Sequence, residues 1–249
     1  MSLIKSSEEI EIMKSGGLIL QKVMAELLPQ VKVGISTKTI DQIAEQLIRK
    51  HNALPSFNTV KGYHWTTCLP INEQIVHTKP SLRVLSAGDI LTIDIGCLYK
   101  GYHTDHATSF IVGQAKSPKD QEFLQYGRET LDLAIKSLKN GRYLGEVSKT
   151  ITDNLSKYGL AVVKELTGHG IGKQLHEEPF IPGWCDRPIN ETMIVRPGLV
   201  VAIEIIYARG NGKMKYEADN WSIVTADHSL SACFEHTVAV YENSALILT

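Results

Sequence analysis

The stretch DILTIDIGCL at residues 89–98 is apolar and rich in β-branched side chains after its first residue, Asp89, and a second acid, Asp94, lies at its centre. This composition is typical of a buried strand. Removing a carboxylate from water without a partner costs several kcal/mol, so Asp94 needs a cation, a proton or hydrogen-bond donors. The stretch LVVAIEIIY at residues 199–207 repeats the pattern around Glu204. The two stretches predict two buried strands, each carrying one acid near its centre.

The surroundings of these acids also repeat. A glycine lies six residues before Asp94 and another lies six residues before Glu204. Further along each half, Asp105 and Glu235 each stand directly before a histidine, at what we predict to be the start of the next strand (residues 108–112 in the first half, 235–241 in the second). The matched order indicates an internal duplication, with the four acids converging at a pseudo-two-fold axis. Chance similarity between two ordinary α/β stretches is the alternative.

Helical periodicity also occurs twice in each half. The predicted helices cover residues 6–28, 37–51, 119–139 and 144–158, and the first opens with Ser6 and Glu9 in capping-box spacing. Shorter strands are predicted at residues 160–163 and 221–225. We therefore predict one α+β domain over residues 1–249, with pseudo-repeats of about 1–113 and 114–249 around a central antiparallel sheet.

Four acids in matched strands indicate a metal centre. A single one could lie on a solvated strand face, or pair with lysine or arginine, but no basic residue interrupts these strands, and two dications would balance four carboxylates. His169, between glycines on what we interpret as a loop, offers a nitrogen ligand. Carboxylates with one imidazole suit manganese, iron(II) or cobalt, with zinc a further candidate. Two such ions favour a bridging water that acts as a hydrolytic nucleophile.

Composition and other motifs exclude several classes. The net charge of -1 gives no support for nucleic acid as the main ligand, and no segment is long and apolar enough to span a membrane. Four cysteines without a Cys-x-x-Cys pair, and no signal peptide, predict a cytoplasmic protein. Residues 168–173 (GHGIGK) have three residues between their outer glycines where a Walker A loop has four. No Gly-x-Ser-x-Gly elbow indicates a serine hydrolase.

Together these residues and motifs resemble type I methionine aminopeptidases over almost the whole chain. The resemblance is carried by Asp94, Asp105, GHGIG at 168–172, HEEP at 176–179, Ile203-Glu204 and FEHT at 234–237. It implies the pita-bread fold and a two-metal enzyme that removes the initiator methionine from nascent proteins, preferring a small second residue. The length and the lack of a long insertion between His169 and Glu204 resemble the short bacterial form.

The resemblance also implies residue roles. Asp94 and Asp105 would bind one ion, Asp105 and Glu235 would bridge to the second, and His169 and Glu204 would complete it. Catalytic roles fall to Glu204 as proton shuttle, His77 at the scissile peptide and His176 at the carbonyl. Read without the family, both histidines would be structural or surface residues. Substrate contacts are assigned to His77, His176, Tyr63, Cys68 and Trp221.

The sequence departs from the family pattern at four places: Thr78-Lys79, Leu175, Ile205 and Cys233. The first two are expected near the substrate, so they would alter pocket shape, rate and preference for methionine. A divergent second copy with altered N-terminal specificity and a non-catalytic binding protein on the same fold are the alternatives. Proline-specific relatives are a further rival, but they normally carry an additional N-terminal domain. A nascent polypeptide is the expected partner, with transient ribosome contact and a monomeric state.

Overall fold

The computed structural model describes residues 3–249, and within that range the chain forms four α-helices and thirteen strands. The helices are α1 (Ser7–Leu27), α2 (Thr37–Lys50), α3 (Pro118–Ser137) and α4 (Gly145–Lys157). The first seven strands are β1 (Leu54–Pro55), β2 (Thr67–Cys68), β3 (Gln74–Val76), β4 (Ile90–Tyr99), β5 (Tyr102–Ile111), β6 (Ala161–Val162) and β7 (Thr167–Gly170). The other six are β8 (Glu177–Pro182), β9 (Val200–Ala208), β10 (Met214–Tyr216), β11 (Ile223–Thr225), β12 (Ser231–Val240) and β13 (Ala245–Ile247).

Helix ends follow the capping residues that the sequence offers. The Ser6 side chain accepts a hydrogen bond from the Glu9 amide, while the Glu9 carboxylate accepts one from the Ser6 amide. This reciprocal arrangement is the predicted capping box, and it satisfies two donors at the start of α1. Ser36 caps α2 in the same sense, by accepting from the Thr39 amide. None of the helices in the described part of the chain is long and apolar enough to cross a membrane.

A ten-stranded antiparallel sheet with helices packed against it organises the described residues, which confirms the predicted α+β class. Its strand order is β1-β4-β5-β12-β9-β7-β8, and β2, β6 and β13 pair with β4, β9 and β12. A smaller sheet has the order β10-β11-β3. In the first half α1 packs against β4 and β5 and α2 packs against α1 and β1; in the second half α3 packs against β9 and β12 and α4 packs against α3, β6 and β8. A repeat boundary near residue 113 stays a prediction.

Two strands begin earlier than the sequence indicated. β5 starts at Tyr102 rather than at residue 108, and β12 starts at Ser231 rather than at 235. The polar start of β5 hid its strand character, but His103 is buried with a partner, because its Nδ1 lies 2.9 Å from the Ser56 hydroxyl. Asp105 and Glu235 therefore lie inside their strands, where both neighbours along the chain are paired.

Candidate metal centre

Five neighbouring strands each contribute one of the predicted ligands. Glu204 on β9 lies directly opposite Glu235 on β12, and His169 on β7 lies opposite a residue two positions before Glu204. Asp105 on β5 lies opposite a residue two positions after Asp94 on β4. Because residues two apart in a strand share a face, this register directs the five side chains to one side of the sheet.

The side chains come close enough to share a cation. Asp105, His169 and Glu235 are buried, and each offers a ligand atom within 4.8 Å of the other two. His169 Nε2 lies 3.4 Å from Glu204 Oε1. Oxygen and nitrogen donors from separate strands thus meet in one place, as a coordination site requires.

The charges of these residues fit a cation as well. Burial raises the pKa of Asp94 to about 7 and lifts the pKa values of Asp105, Glu204 and Glu235 well above their ordinary range, with mutual repulsion adding to the effect. Glu235 Oε1 is buried and has no hydrogen-bond partner among the described residues. An orphaned buried carboxylate oxygen is costly. Divalent cations would remove this cost, so the residues present fit a metal centre.

His169 is prepared to act as a ligand. Its Nδ1 donates a hydrogen bond of 2.8 Å to the Gly170 carbonyl, which leaves the lone pair of Nε2 free. Burial lowers the pKa of His169 to about 3, so the ring is neutral. The expectation that His169 lies on a loop is wrong, because it lies on β7. A Cβ at Gly168 or Gly170 would lie 2.6 or 2.1 Å from a neighbouring carbonyl oxygen, so the flanking glycines serve strand packing.

A cavity of about 300 Å³ opens beside these ligands. It is lined by all ten residues that the sequence analysis assigned to the site. The His176 ring lies edge-on to His169, with ring centroids 4.5 Å apart. His77 follows β3 with a left-handed φ of 56°. The protein around His77 and the nearby His176 hold the pKa of His77 below its ordinary value, and burial does the same for His176.

One end of the cavity is apolar and aromatic, and it adjoins the acids, because Cys68 lies opposite Asp94 in the sheet and hydrogen-bonds to it. The Tyr63 hydroxyl donates to the Thr67 carbonyl at 2.8 Å and lies 3.2 Å from Cys68 Sγ. The rings of Tyr63 and Trp221 meet edge to face at 5.2 Å. The cavity is also lined by residues that no sequence pattern indicated: Phe57, Val60, Val76, Glu165, Leu166, Thr167, Phe180 and Ile206.

The histidines of the acid-histidine pairs have a structural role. His106 Nδ1 donates to the Glu235 carbonyl at 2.8 Å, and the His106 and His236 rings stack at 4.7 Å. Thr237 Oγ1 accepts from the Asp105 amide at 2.8 Å and donates to the Asp105 carbonyl at 2.9 Å. These bonds tie β5 to β12 where the two strands carry Asp105 and Glu235.

An antiparallel sheet with matched helix pairs, carrying four acids and a histidine around a buried centre, defines a pita-bread metallopeptidase. The model of metallopeptidase family M24 matches residues 11–242, and the chain therefore belongs to this family.

Within the family, the chain is similar to methionine aminopeptidases along its full length. It is 40% identical to methionine aminopeptidase 1 of Bacillus subtilis, over 100% of this chain and 99% of that protein. The crystal structure of methionine aminopeptidase from Thermotoga maritima superposes with a TM-score of 0.95 at 34% identity, covering 99% of this chain and 98% of the other. Prolidase from Pyrococcus furiosus shares the fold, with a TM-score of 0.81 at 23% identity, and this chain covers 65% of it.

Proposed function

We propose that this chain is a metal-dependent aminopeptidase that removes N-terminal methionine from nascent proteins and peptides. The observation that carries the proposal is one cavity that joins a five-residue ligand set to an apolar, aromatic end. Methionine aminopeptidases that align with the full length of the chain support the same activity.

The proposed cofactor is a pair of divalent ions. Asp94 and Asp105 would hold one ion, Asp105 and Glu235 would bridge to the other, and His169 and Glu204 would complete the second site. Four carboxylates and one imidazole suit manganese, iron(II) or cobalt, with zinc as a further candidate. When bound, such ions supply Lewis acidity and lower the pKa of a coordinated water.

Three side chains would carry the proton transfers and hydrogen bonds of hydrolysis. Glu204 is buried beside Asp94, which raises its pKa and suits it to accept and release a proton. His176 has a lowered pKa, so its neutral ring has an N–H that can donate to the carbonyl oxygen of the scissile bond. His77 lines the same cavity and would contact the scissile peptide.

The apolar end would bind the methionine side chain. Tyr63, Cys68 and Trp221 offer aromatic and sulfur surfaces, which suit a thioether. Leu175 also lines the cavity, at a position where an aromatic side chain is usual in the resemblance described above. This observation favours a second candidate, a divergent enzyme with altered N-terminal specificity; a non-catalytic binding protein is the third. A small second substrate residue is part of the proposal.

The remaining proposals concern the setting of the reaction. We place the activity in the cytoplasm, where nascent polypeptides are available, with transient ribosome contact and a monomeric enzyme. Nucleic acid is not proposed as a main ligand, since the net charge is -1.

The test is hydrolysis of Met-Ala-Ser and Leu-Ala-Ser by metal-depleted protein, to which manganese, iron(II), cobalt or zinc is added in turn. Metal-dependent release of methionine, with leucine much slower, is the expected result. Release of other residues would favour the divergent enzyme, and no release with any metal would favour the binding protein.

A further inference from the structure

We propose that Lys79, through Asp219, is a positioning residue that sets the distance between two loops: the His77 loop, residues 77–89 between β3 and β4, and the Trp221 loop, residues 217–222 between β10 and β11. Given the proposed function, on which this proposal rests, the ion pair determines how well the methionine side chain is bound. Lys79 itself does not line the catalytic cavity but a neighbouring one, behind the wall that the two loops share.

The ion pair connects the two loops directly. Lys79 Nζ lies 3.3 Å from Asp219 Oδ2 and 3.4 Å from the Asp219 carbonyl oxygen. Asp219 Oδ1 accepts hydrogen bonds from the amides of Trp221 and Ser222, at 2.9 and 2.8 Å. The Ser222 hydroxyl donates to Asp219 Oδ2 at 2.8 Å. The carboxylate that pairs with Lys79 is therefore the group that fixes the backbone of Trp221.

A second set of contacts returns to Trp221 through aromatic rings. Lys79 Nζ lies 5.6 Å from the centroid of the Trp65 ring. Trp65 meets Tyr63 edge to face at 5.2 Å, and Tyr63 meets Trp221 in the same way at the same distance. Lys79 thus contacts both Asp219, which fixes the Trp221 backbone, and Trp65, the first of two rings that lead to the Trp221 side chain.

The other end of Lys79 is connected to His77 by the chain itself. Only Thr78 separates the two, and the Thr78 carbonyl accepts from the Leu69 amide at 2.9 Å, which holds this segment in place. Because this bond anchors the chain between His77 and Lys79, His77 is expected to keep its place when Lys79 is changed. The change should instead move the Trp221 loop relative to His77, since Asp219 loses its partner.

Partial exposure argues against a mainly stabilising role. The side chains of Lys79 and Asp219 are 23% and 31% exposed. Ion pairs this accessible to water contribute little to folding. The expected effect is on substrate binding rather than on stability.

The first experiment compares Lys79→Met with Lys79→Arg and with the control Lys215→Met. Lys215 lies on β10, in the small sheet whose strands β3 and β11 flank the two loops. We expect Lys79→Met to raise the KM for Met-Ala-Ser about tenfold, with kcat within about twofold, because binding geometry is lost while the catalytic groups remain. Arginine can pair with Asp219 and lie over Trp65, so Lys79→Arg should restore the KM. Lys215→Met should leave it unchanged. Equal losses of kcat in Lys79→Met and Lys215→Met would overturn the proposal.

A double-mutant cycle tests the route through Asp219. Asp219→Asn keeps an acceptor for the two amides but loses the ion pair, so it should raise the KM as Lys79→Met does. The double variant should be no worse than either single one, because both remove the same interaction. Additive effects would show that Lys79 acts by another route.

Hydrogen exchange provides a readout that needs no activity. The amides of Trp221 and Ser222 both donate to Asp219, so Lys79→Met should accelerate their exchange at least about threefold, while the amides of α3 exchange as in the wild type. Unchanged exchange at residues 221 and 222 would refute the positioning role. If the wild type released no methionine, the proposed function would fail, whereas the exchange measurement would still decide this inference.

Discussion

Replacement of Lys5 by methionine should destabilise the protein through one buried ion pair. Lys5 Nζ lies 2.7 Å from Glu177 Oε2, and the two side chains are only 5% and 8% exposed. After Lys5→Met, the Glu177 carboxylate keeps only backbone donors among the described residues, the Gln174 amide at 2.9 Å from Oε1 and the Lys173 amide. Breaking a buried pair by removing one partner costs about 3–5 kcal/mol. For a chain of this size, each kcal/mol corresponds to about 2–4 °C, so the melting temperature should fall by roughly 6–20 °C.

The loss of folding stability should depend on pH, and its direction follows from the pKa of Glu177 in the folded protein. Burial alone would raise the pKa of Glu177, but the hydrogen bond from Lys5 holds it below its ordinary value. Because the folded-state pKa is depressed, the contribution of the pair to stability is present above the ordinary pKa of 4.5 and is lost as pH falls through the folded-state pKa. Lys5→Met should therefore cost less stability at about pH 3 than at about pH 7.

The assay is thermal unfolding of metal-loaded protein, with urea unfolding to check that the m-value is unchanged. Lys173→Met is the matched control, because Lys173 is 59% exposed and lies 3.8 Å from Glu9. Such an exposed pair contributes about 0–1 kcal/mol. A Lys5→Met protein that melts within 2 °C of the Lys173→Met control, roughly the shift that this contribution allows, would refute the reasoning. Because Glu177 follows His176 directly, kcat should fall as well.

Four further outcomes can be measured. Chelation should lower the melting temperature and manganese should restore it, because a ligand at 100 times its Kd stabilises by about 2.7 kcal/mol; identical melting curves would contradict a metal centre. Glu204→Gln should reduce kcat by about 10²–10⁴ while weakening the binding of a methionine analogue far less; near-wild-type turnover would exclude Glu204 as the shuttle. The pKa of Asp219 is about 2, because hydrogen bonds from the Trp221 and Ser222 amides outweigh the effect of burial. Its contribution to stability is therefore present above about pH 4 and lost as pH falls toward 2, so Asp219→Asn should flatten the stability curve in that window. Gly127→Ala would place a Cβ 2.3 Å from the Tyr207 hydroxyl oxygen and should cost about 1–3 kcal/mol in urea unfolding, with the KM unchanged.

The sequence revealed those parts of the fold and site that depend on local pattern or on an evident conflict. Asp94 and Glu204 stood out because a charge in an apolar strand is costly, and the capping box at Ser6 identified the start of α1. Phe57 and Val60 lie in and just after a single 3-10 turn, and they reach the cavity only because that turn packs beside β4. No local pattern encodes such packing, so neither residue was predicted.

The two histidines that we propose as catalytic, His77 and His176, show the same limit of sequence-based prediction. Neither His77 nor His176 lies in a strand that carries a metal ligand, and each has ordinary polar or apolar neighbours in the sequence. Their place at the cavity follows from the turn after β3 and from the segment between β7 and β8. The residue pattern alone favoured structural roles for both, and only the resemblance to a family assigned them to the site.

The departures from the family pattern contact different parts of the molecule. Those at the cavity are expected to affect substrate preference, and those in the core are expected to affect stability. Ile205 stands where proline is usual, but it is fully buried in the core and pairs with Phe234 of β12. It follows Glu204 and therefore faces away from the cavity, and its N–H can join the strand ladder, which proline cannot do. Leu175, in contrast, lines the cavity, and Lys79 contacts the wall behind it. The preference for the N-terminal residue of the substrate should therefore change in Leu175→Phe and in the Lys79 variants. A conservative Ile205→Val should alter stability and leave that preference unchanged.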